Sequence, residues 1–166
     1  MIHFRTINAE TDKPFILELH CEIIYESETP WARKEPYTEY RKKWLSTSQP
    51  EQFFSHLIET MKDHRTIAEV IEDSNHNVLG YIWVIFQDVP DYHLTIAEIM
   101  DLIIVSAHRR AGLGTKVLKY IEDRAVRQGA HLLRSETGIE NVASQNLHRK
   151  LGFETYRVLF EKQLQR

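Results

Sequence analysis

The sequence predicts one α/β domain over residues 1–166: a mixed, mostly antiparallel sheet with helices on both faces. Three observations lead there. Two β-rich segments, 65–72 and 78–87, flank Asp73-Ser74-Asn75-His76-Asn77, turn chemistry that reads as a β-hairpin. The run 94–105 is apolar without strict alternation, so both of its faces are expected to be covered. After it, helical periodicity alternates with short strands, and such a crossover favours a parallel pair.

The elements follow in order. Residues 2–8 suit a short strand. Thr11-Asp12 can cap a helix carrying Phe15, Ile16, Leu19, Ile23 and Ile24. Between residues 26 and 50, Pro30, Pro36 and Pro50 punctuate a stretch where Trp31, Tyr37, Tyr40 and Trp44 sit among charges. Helices are expected at 37–45 and 51–62. The hairpin comes next, then a loop at 88–93 around Pro90, then the central strand 94–105. A helix at 113–128 places Leu113, Val117, Leu118, Ile121 and Ala125 on one face and closes at Gly129. A strand at 132–137, a helix at 141–151 and a last strand at 153–161 complete the chain.

Composition narrows the class. At 166 residues, roughly 70% of the unfolded surface can be buried, enough for a full core. A net charge of −3 gives no global pull toward nucleic acid or an acidic membrane. The one dense basic pair is Arg109-Arg110, and Arg41-Lys42-Lys43 is short and flanked by acids. No apolar run reaches the ~18 residues of a membrane span, and Met1-Ile2-His3-Phe4-Arg5 lacks a signal-peptide core. The single cysteine, Cys21, excludes an intrachain disulfide and suits a reducing compartment, so a cytoplasmic protein is expected. Its neighbours Leu19, Ile23 and Ile24 suggest a buried, inert thiol. His3, His20, His56, His64, His76, His93, His108 and His131 show no metal-ligand spacing, so no zinc site is expected.

The most informative stretch is Val105-Ser106-Ala107-His108-Arg109-Arg110-Ala111-Gly112-Leu113-Gly114. A strand feeds a glycine-containing turn and then a helix, aiming free N–H groups and a positive helix end at one point. That suits a phosphorylated ligand. A P-loop is excluded, because Thr115-Lys116 follows Gly114 in the wrong order; Val117 excludes a three-glycine dinucleotide fingerprint.

The spacing Arg109-x-x-Gly112-x-Gly114 resembles the pyrophosphate loop of the GNAT family of N-acetyltransferases, where it binds coenzyme A. A second signature stands downstream at matching spacings: Asn141, Leu147, Leu151, Gly152 and Phe153. The resemblance covers residues 66–160 well and the first 65 only in outline. It implies a GNAT-like sheet whose central strand and the next one splay apart to admit the pantetheine arm.

It also implies a chemistry: acetyl-CoA as co-substrate, no metal, and an amine acceptor that attacks directly in a ternary complex. Arg109, Arg110 and the N–H groups of Ala111, Gly112, Leu113, Gly114 and Thr115 would hold the pyrophosphate. A backbone N–H among Ile103, Ile104 and Val105 would polarise the thioester carbonyl. Asn141 opens the second helix beside the cofactor. Three carboxylates are candidates for the base: Glu136, Glu98 and Asp101. Strand alternation puts Glu98 and Asp101 on opposite faces unless a bulge intervenes.

The family's usual acid is a Tyr seven positions after the Asn, and here that position is His148. Seven residues is nearly two turns, so Asn141 and His148 share a face, opposite Ala143, Leu147 and Leu151. A cationic His is a stronger acid than Tyr, with reference values of about 6.5 against about 10. His148 has three readings: it protonates the thiolate, hydrogen-bonds to the sulfur, or lines the site. Trp31, Tyr37, Tyr40, Trp44, Asp88, Asp91, Tyr92 and Glu98 suit a cationic small molecule or an N-terminal peptide amine as acceptor. Trp31 and Trp44 can equally pack a helix on the sheet. The resemblance allows a homodimer. A second function class is a non-catalytic module that binds acyl-CoA as a sensor or subunit, kept open by His148 in place of Tyr.

Overall fold

The computed structural model describes residues 2–27, 34–162 and 164. Ten elements follow in order: β1 (Ile2–Thr6), α1 (Lys13–Ser27), α2 (Tyr37–Leu45), α3 (Gln49–Thr60), β2 (Ile67–Asp73), β3 (Val78–Val89), β4 (Leu94–Ile104), α4 (Leu113–Arg127), β5 (Leu132–Ser135) and α5 (Val142–Lys150). The strands form one sheet in the order β1-β2-β3-β4-β5. Every neighbouring pair is antiparallel except β4–β5, which α4 connects as a parallel crossover.

Both faces of the sheet are covered, as the largely apolar, non-alternating run of β4 requires. On one face Ile82, Val84, Ala97, Ile99 and Ile104 pack with Leu113, Val117, Leu118, Ile121 and Ala125 of α4, and Leu147 and Leu151 of α5 join them. On the other, Tyr81, Trp83 and Ile103 pack with Ile16 and Leu19 of α1 and Phe54 and Leu57 of α3. Trp44 is 4% exposed, so its indole is core between helices and sheet rather than an acceptor-facing ring. Trp31 lies outside the described residues.

The strand expected at 153–161 does not form. Residues 153–162 carry no strand pairing, and Val158, Leu159 and Phe160 are exposed. The physical reason lies in β5, which offers only four ladder residues. The tail is tied to it by a side-chain contact instead: the Arg134 guanidinium sits 4.9 Å from the Tyr156 ring centre.

Candidate functional site

β4 and β5 pair only from Ile96 with Leu132 to Ile99 with Ser135. Beyond that point β4 continues to Ile104 against β3 alone, so its other edge is open. Val105 N–H donates to Leu79 O at 2.9 Å. Alternation therefore turns Ile103 and Asp101 toward β3, and points the peptide groups of Leu102 and Ile104 into the opening. Of the three expected carbonyl-polarising N–H groups, only that of Ile104 faces the gap. Val105 and Ile103 face β3, and Leu102 joins Ile104 instead. A carbonyl entering here meets oriented donors with no strand partner of their own.

The loop after β4 closes one end of the opening. Arg110 (φ 65°) and Gly112 (φ 75°) are both left-handed, which turns the chain sharply into α4. Gly112 is the residue before the helix, and a Cβ there would meet nothing within 4 Å, so the glycine serves the turn itself. Gly114 serves packing: a Cβ would come 2.9 Å from Leu147, so the start of α4 presses directly on α5. Leu113, Gly114 and Thr115 begin the helix with N–H groups that have no carbonyl behind them, a setting that fits the phosphates of a nucleotide. Arg109 points elsewhere. Its Nε donates to Ile104 O at 2.8 Å, and its other nitrogens reach Glu22 (3.2 Å) and Glu26 (3.1 Å) on α1. In this state Arg109 braces α1 against the open edge of β4.

A register shift lies opposite Trp83 and Val84: Trp83 pairs with Asp101 and Val84 with Ile99, leaving Met100 as the extra residue. The bulge overturns the simple alternation of Glu98 and Asp101. Glu98 pairs with Ile85 and Asp101 with Trp83, two positions on one face of β3, so both carboxylates point to the α1–α3 side. Asp101 Oδ2 accepts from Tyr81 Oη (2.8 Å) and sits 3.1 Å from His20 Nδ1. Tyr81 is fully buried, and burial with the Asp101 charge holds its phenol well above the usual range, so it stays a donor. Glu98 is half-buried, with no hydrogen-bond or ion-pair partner among the described residues. Glu136 is exposed, just past the end of β5.

α5 starts where Asn141 Oδ1 accepts from Ser144 N at 3.1 Å, so the Asn side chain is the helix cap. His148 is not on a solvent-facing polar side. It is half-buried with Leu147, whereas Ala143 is exposed. Its Nδ1 lies 2.7 Å from Ser144 O, so Nδ1 carries the proton. Nε2 then accepts from the Ser135 hydroxyl at 2.9 Å. The Phe153 ring packs edge-on, with ring centres 4.8 Å apart. The imidazole thus joins α5 to the last paired residue of β5, beside the point where the strands part.

Among the acceptor-side candidates, Asp88 is held by Arg65 (3.0 Å) and Thr95 (2.8 Å). Tyr37 donates to Glu18 at 3.0 Å, and Tyr40 packs its ring on Tyr25. Asp91 and Tyr92 are exposed in the turn between β3 and β4. Cys21 is buried, and burial pushes its thiol up. Three contributors escape the sequence reading: His20, Ser135 and Leu102. The one available signal was His20 itself, a polar residue four after Ile16 on the apolar face of α1. Among the described residues, no cluster of three or more His, Cys, Asp or Glu could hold a metal, and no helix is long and apolar enough to cross a membrane.

The sequence pattern of the acetyltransferase (GNAT) family matches residues 22–153. The aminoglycoside N(6')-acetyltransferase type 1 of Serratia marcescens is 31% identical over 114 residues, 60% of this chain and 78% of that protein. A predicted acetyltransferase of Clostridium acetobutylicum, solved with acetyl-CoA, superposes with a TM-score of 0.72 at 12% identity, covering 98% of this chain and 96% of that one. Glucosamine-6-phosphate N-acetyltransferase of Arabidopsis thaliana superposes with a TM-score of 0.63 at 15% identity over 99% of both chains. The two superpositions show a shared fold.

Proposed function

We propose that this chain, which belongs to the acetyltransferase (GNAT) family, transfers an acetyl group from acetyl-CoA to a primary amine by direct attack with both substrates bound. The acceptor is a cationic small molecule or a peptide N-terminus. The observation that carries the reading is the parting of β4 from β5 after Ile99, with peptide groups of Leu102 and Ile104 facing the gap and the start of α4 at its mouth. Acetyl-CoA supplies the activated acetyl as a thioester. The chain supplies the rest. N–H groups from Ala111 to Thr115, with Arg110 and a released Arg109, hold the pyrophosphate. Asn141 keeps α5 seated at the cofactor's other flank. Leu102 and Ile104 offer donors to the carbonyl.

The acceptor side is the α1–α3 face, where Glu98 and Asp101 together present negative charge to an ammonium. Glu136, exposed past β5, is the less central candidate base. The Serratia marcescens relative, an aminoglycoside acetyltransferase by name, supports amines on polycationic sugars as first acceptors to test. To protonate the thiolate, His148 would act as the imidazolium: Nε2–H would donate to the Ser135 hydroxyl, whose own proton would pass to the sulfur.

A second reading, an acyl-CoA-binding module without turnover, is favoured by one observation: both His148 nitrogens are already engaged. Calorimetry with acetyl-CoA and CoA, followed by thiol release with an amine panel, separates the two. Micromolar binding with thiol release supports the transferase. Binding without release supports the module. No binding, with Gly112→Asp behaving like wild type, overturns both.

A further inference from the structure

We propose that His20, oriented by Asp101, is the base that takes the proton from the acceptor amine; the inference rests on the acetyl-transfer reading above. Four observations meet at this residue. His20 Nδ1 faces Asp101 Oδ2 at 3.1 Å, so Nδ1 donates and the neutral ring keeps Nε2 as an acceptor. No hydrogen-bond partner for Nε2 occurs among the described residues. The carboxylate is itself fixed, since the buried Tyr81 hydroxyl donates to the same oxygen at 2.8 Å. The ring is clamped, stacked 3.5 Å from Phe53 of α3, with Trp44 of α2 tilted at 6.1 Å.

The place matters as much as the pair. Asp101 is the first residue after the bulge, and the peptide group of its neighbour Leu102 faces the opening between β4 and β5. Glu98 lies on the same face without a partner among the described residues, free to hold a protonated amine. The His20 side chain is 15% exposed, enough for one approach and too little for a solvated surface group. Asp101 on β4 and Tyr81 on β3 bond directly in this cluster, Glu98 lies on the same face of β4, and the ring of His56 on α3 contacts Trp83. A carboxylate–imidazole pair with the outer nitrogen free is the arrangement general bases use.

The step balances simply. The acceptor ammonium gives one proton to His20 Nε2. The neutral nitrogen forms the N–C bond as the C–S bond breaks, and the second nitrogen proton ends on the departing thiolate. His20 then returns its proton to water, leaving amide, thiol and one proton in solution.

The test compares wild type, His20→Gln, His20→Ala and Asp101→Asn with acetyl-CoA and the best amine of the panel. His20→Gln is expected to lower kcat by about 10²-fold or more, with CoA affinity within about twofold, and to abolish the acidic limb of kcat/KM against pH, the fall on the low-pH side that a protonated base causes. Added imidazole is expected to restore part of the activity of His20→Ala, which a purely structural histidine would not allow. Nitrogen NMR of wild type is expected to show His20 in the Nδ1–H tautomer, lost in Asp101→Asn. Turnover in His20→Gln within about threefold of wild type, an unchanged pH limb, or an Nε2–H tautomer overturns the assignment while acetyl transfer stands. No thiol release by wild type with any amine overturns the acetyl-transfer reading and the assignment with it.

Discussion

Arg109 Nε donates to the backbone carbonyl of Ile104 at 2.8 Å, on the edge of β4 that no strand covers among the described residues. The same guanidinium reaches Glu22 and Glu26, so the loop, α1 and the open strand edge are joined through one side chain. In the proposed function, a pyrophosphate bound at the loop would compete with two carboxylates for this cation.

Removing those carboxylates should therefore favour the ligand. Glu22→Gln/Glu26→Gln is expected to tighten CoA binding several-fold in calorimetry, with the gain shrinking as salt rises, because the groups are partly exposed and screened. Weaker binding in the double variant would mean that the bracing of α1 outweighs the competition.

Gly112 separates conformation from charge. At φ 75° with open space around it, Gly112→Ala costs only backbone strain, about 1–2 kcal/mol in urea unfolding. Gly112→Asp should unfold at a similar urea concentration, since Asp tolerates this conformation, yet bind CoA far more weakly than the Ala variant. Equal CoA affinities for Ala and Asp would place the phosphates away from this turn.

His148→Phe tests the proton donor. It leaves the Ser135 hydroxyl without its imidazole partner, so a stability loss of about 1 kcal/mol is expected by urea titration. If the imidazole protonates the thiolate, turnover falls while CoA affinity holds. Unchanged turnover excludes that role. Ser135→Ala should reproduce the kinetic loss if the hydroxyl carries the contact to the sulfur.

A cluster far from the cleft governs acid stability. Arg5 bonds to Asp12 (2.6 Å) and Glu72 (2.6 Å), both buried. Burial pushes the Asp12 carboxyl up, but the Arg5 and Asn8 bonds outweigh it and hold it below its ordinary value. For Glu72 the Arg5 bond is the largest cause, and its carboxyl is also lowered. Carboxyls lowered on folding contribute stability that is present above their unfolded values and lost as pH falls through the folded ones. Stability should thus decline as pH drops below about 4. Asp12→Asn should flatten that decline and cost about 2 kcal/mol near pH 7. A wild-type acid midpoint unmoved by Asp12→Asn would exclude the cluster as its source.

The loop and the start of α5 were readable because each rests on local chemistry. A left-handed Gly112 and an Asn141 that caps three residues ahead are set within one turn of chain. The central strand was readable from its largely apolar run without strict alternation. The bulge was not, because Met100 looks like any other apolar residue of that run. It becomes visible only when β3 supplies the register that puts Glu98 and Asp101 on one face. The last strand was misread for a related reason: residues 153–161 have strand-like composition, but composition does not supply a partner edge.

The sequence by itself determined the order of elements as far as α5, the glycine-containing turn into α4, the Asn141 start of α5 and the family. All of these depend on neighbours a few residues apart, where residue type dictates backbone geometry. Only the tertiary structure decided what the charged groups do. His20 meets Asp101 across 81 positions, and Arg109 meets Glu22 across 87. Such pairs form because the sheet and its helices bring distant side chains into a half-buried space. There an unpaired charge is costly, so partners are chosen by proximity in the fold and not along the chain.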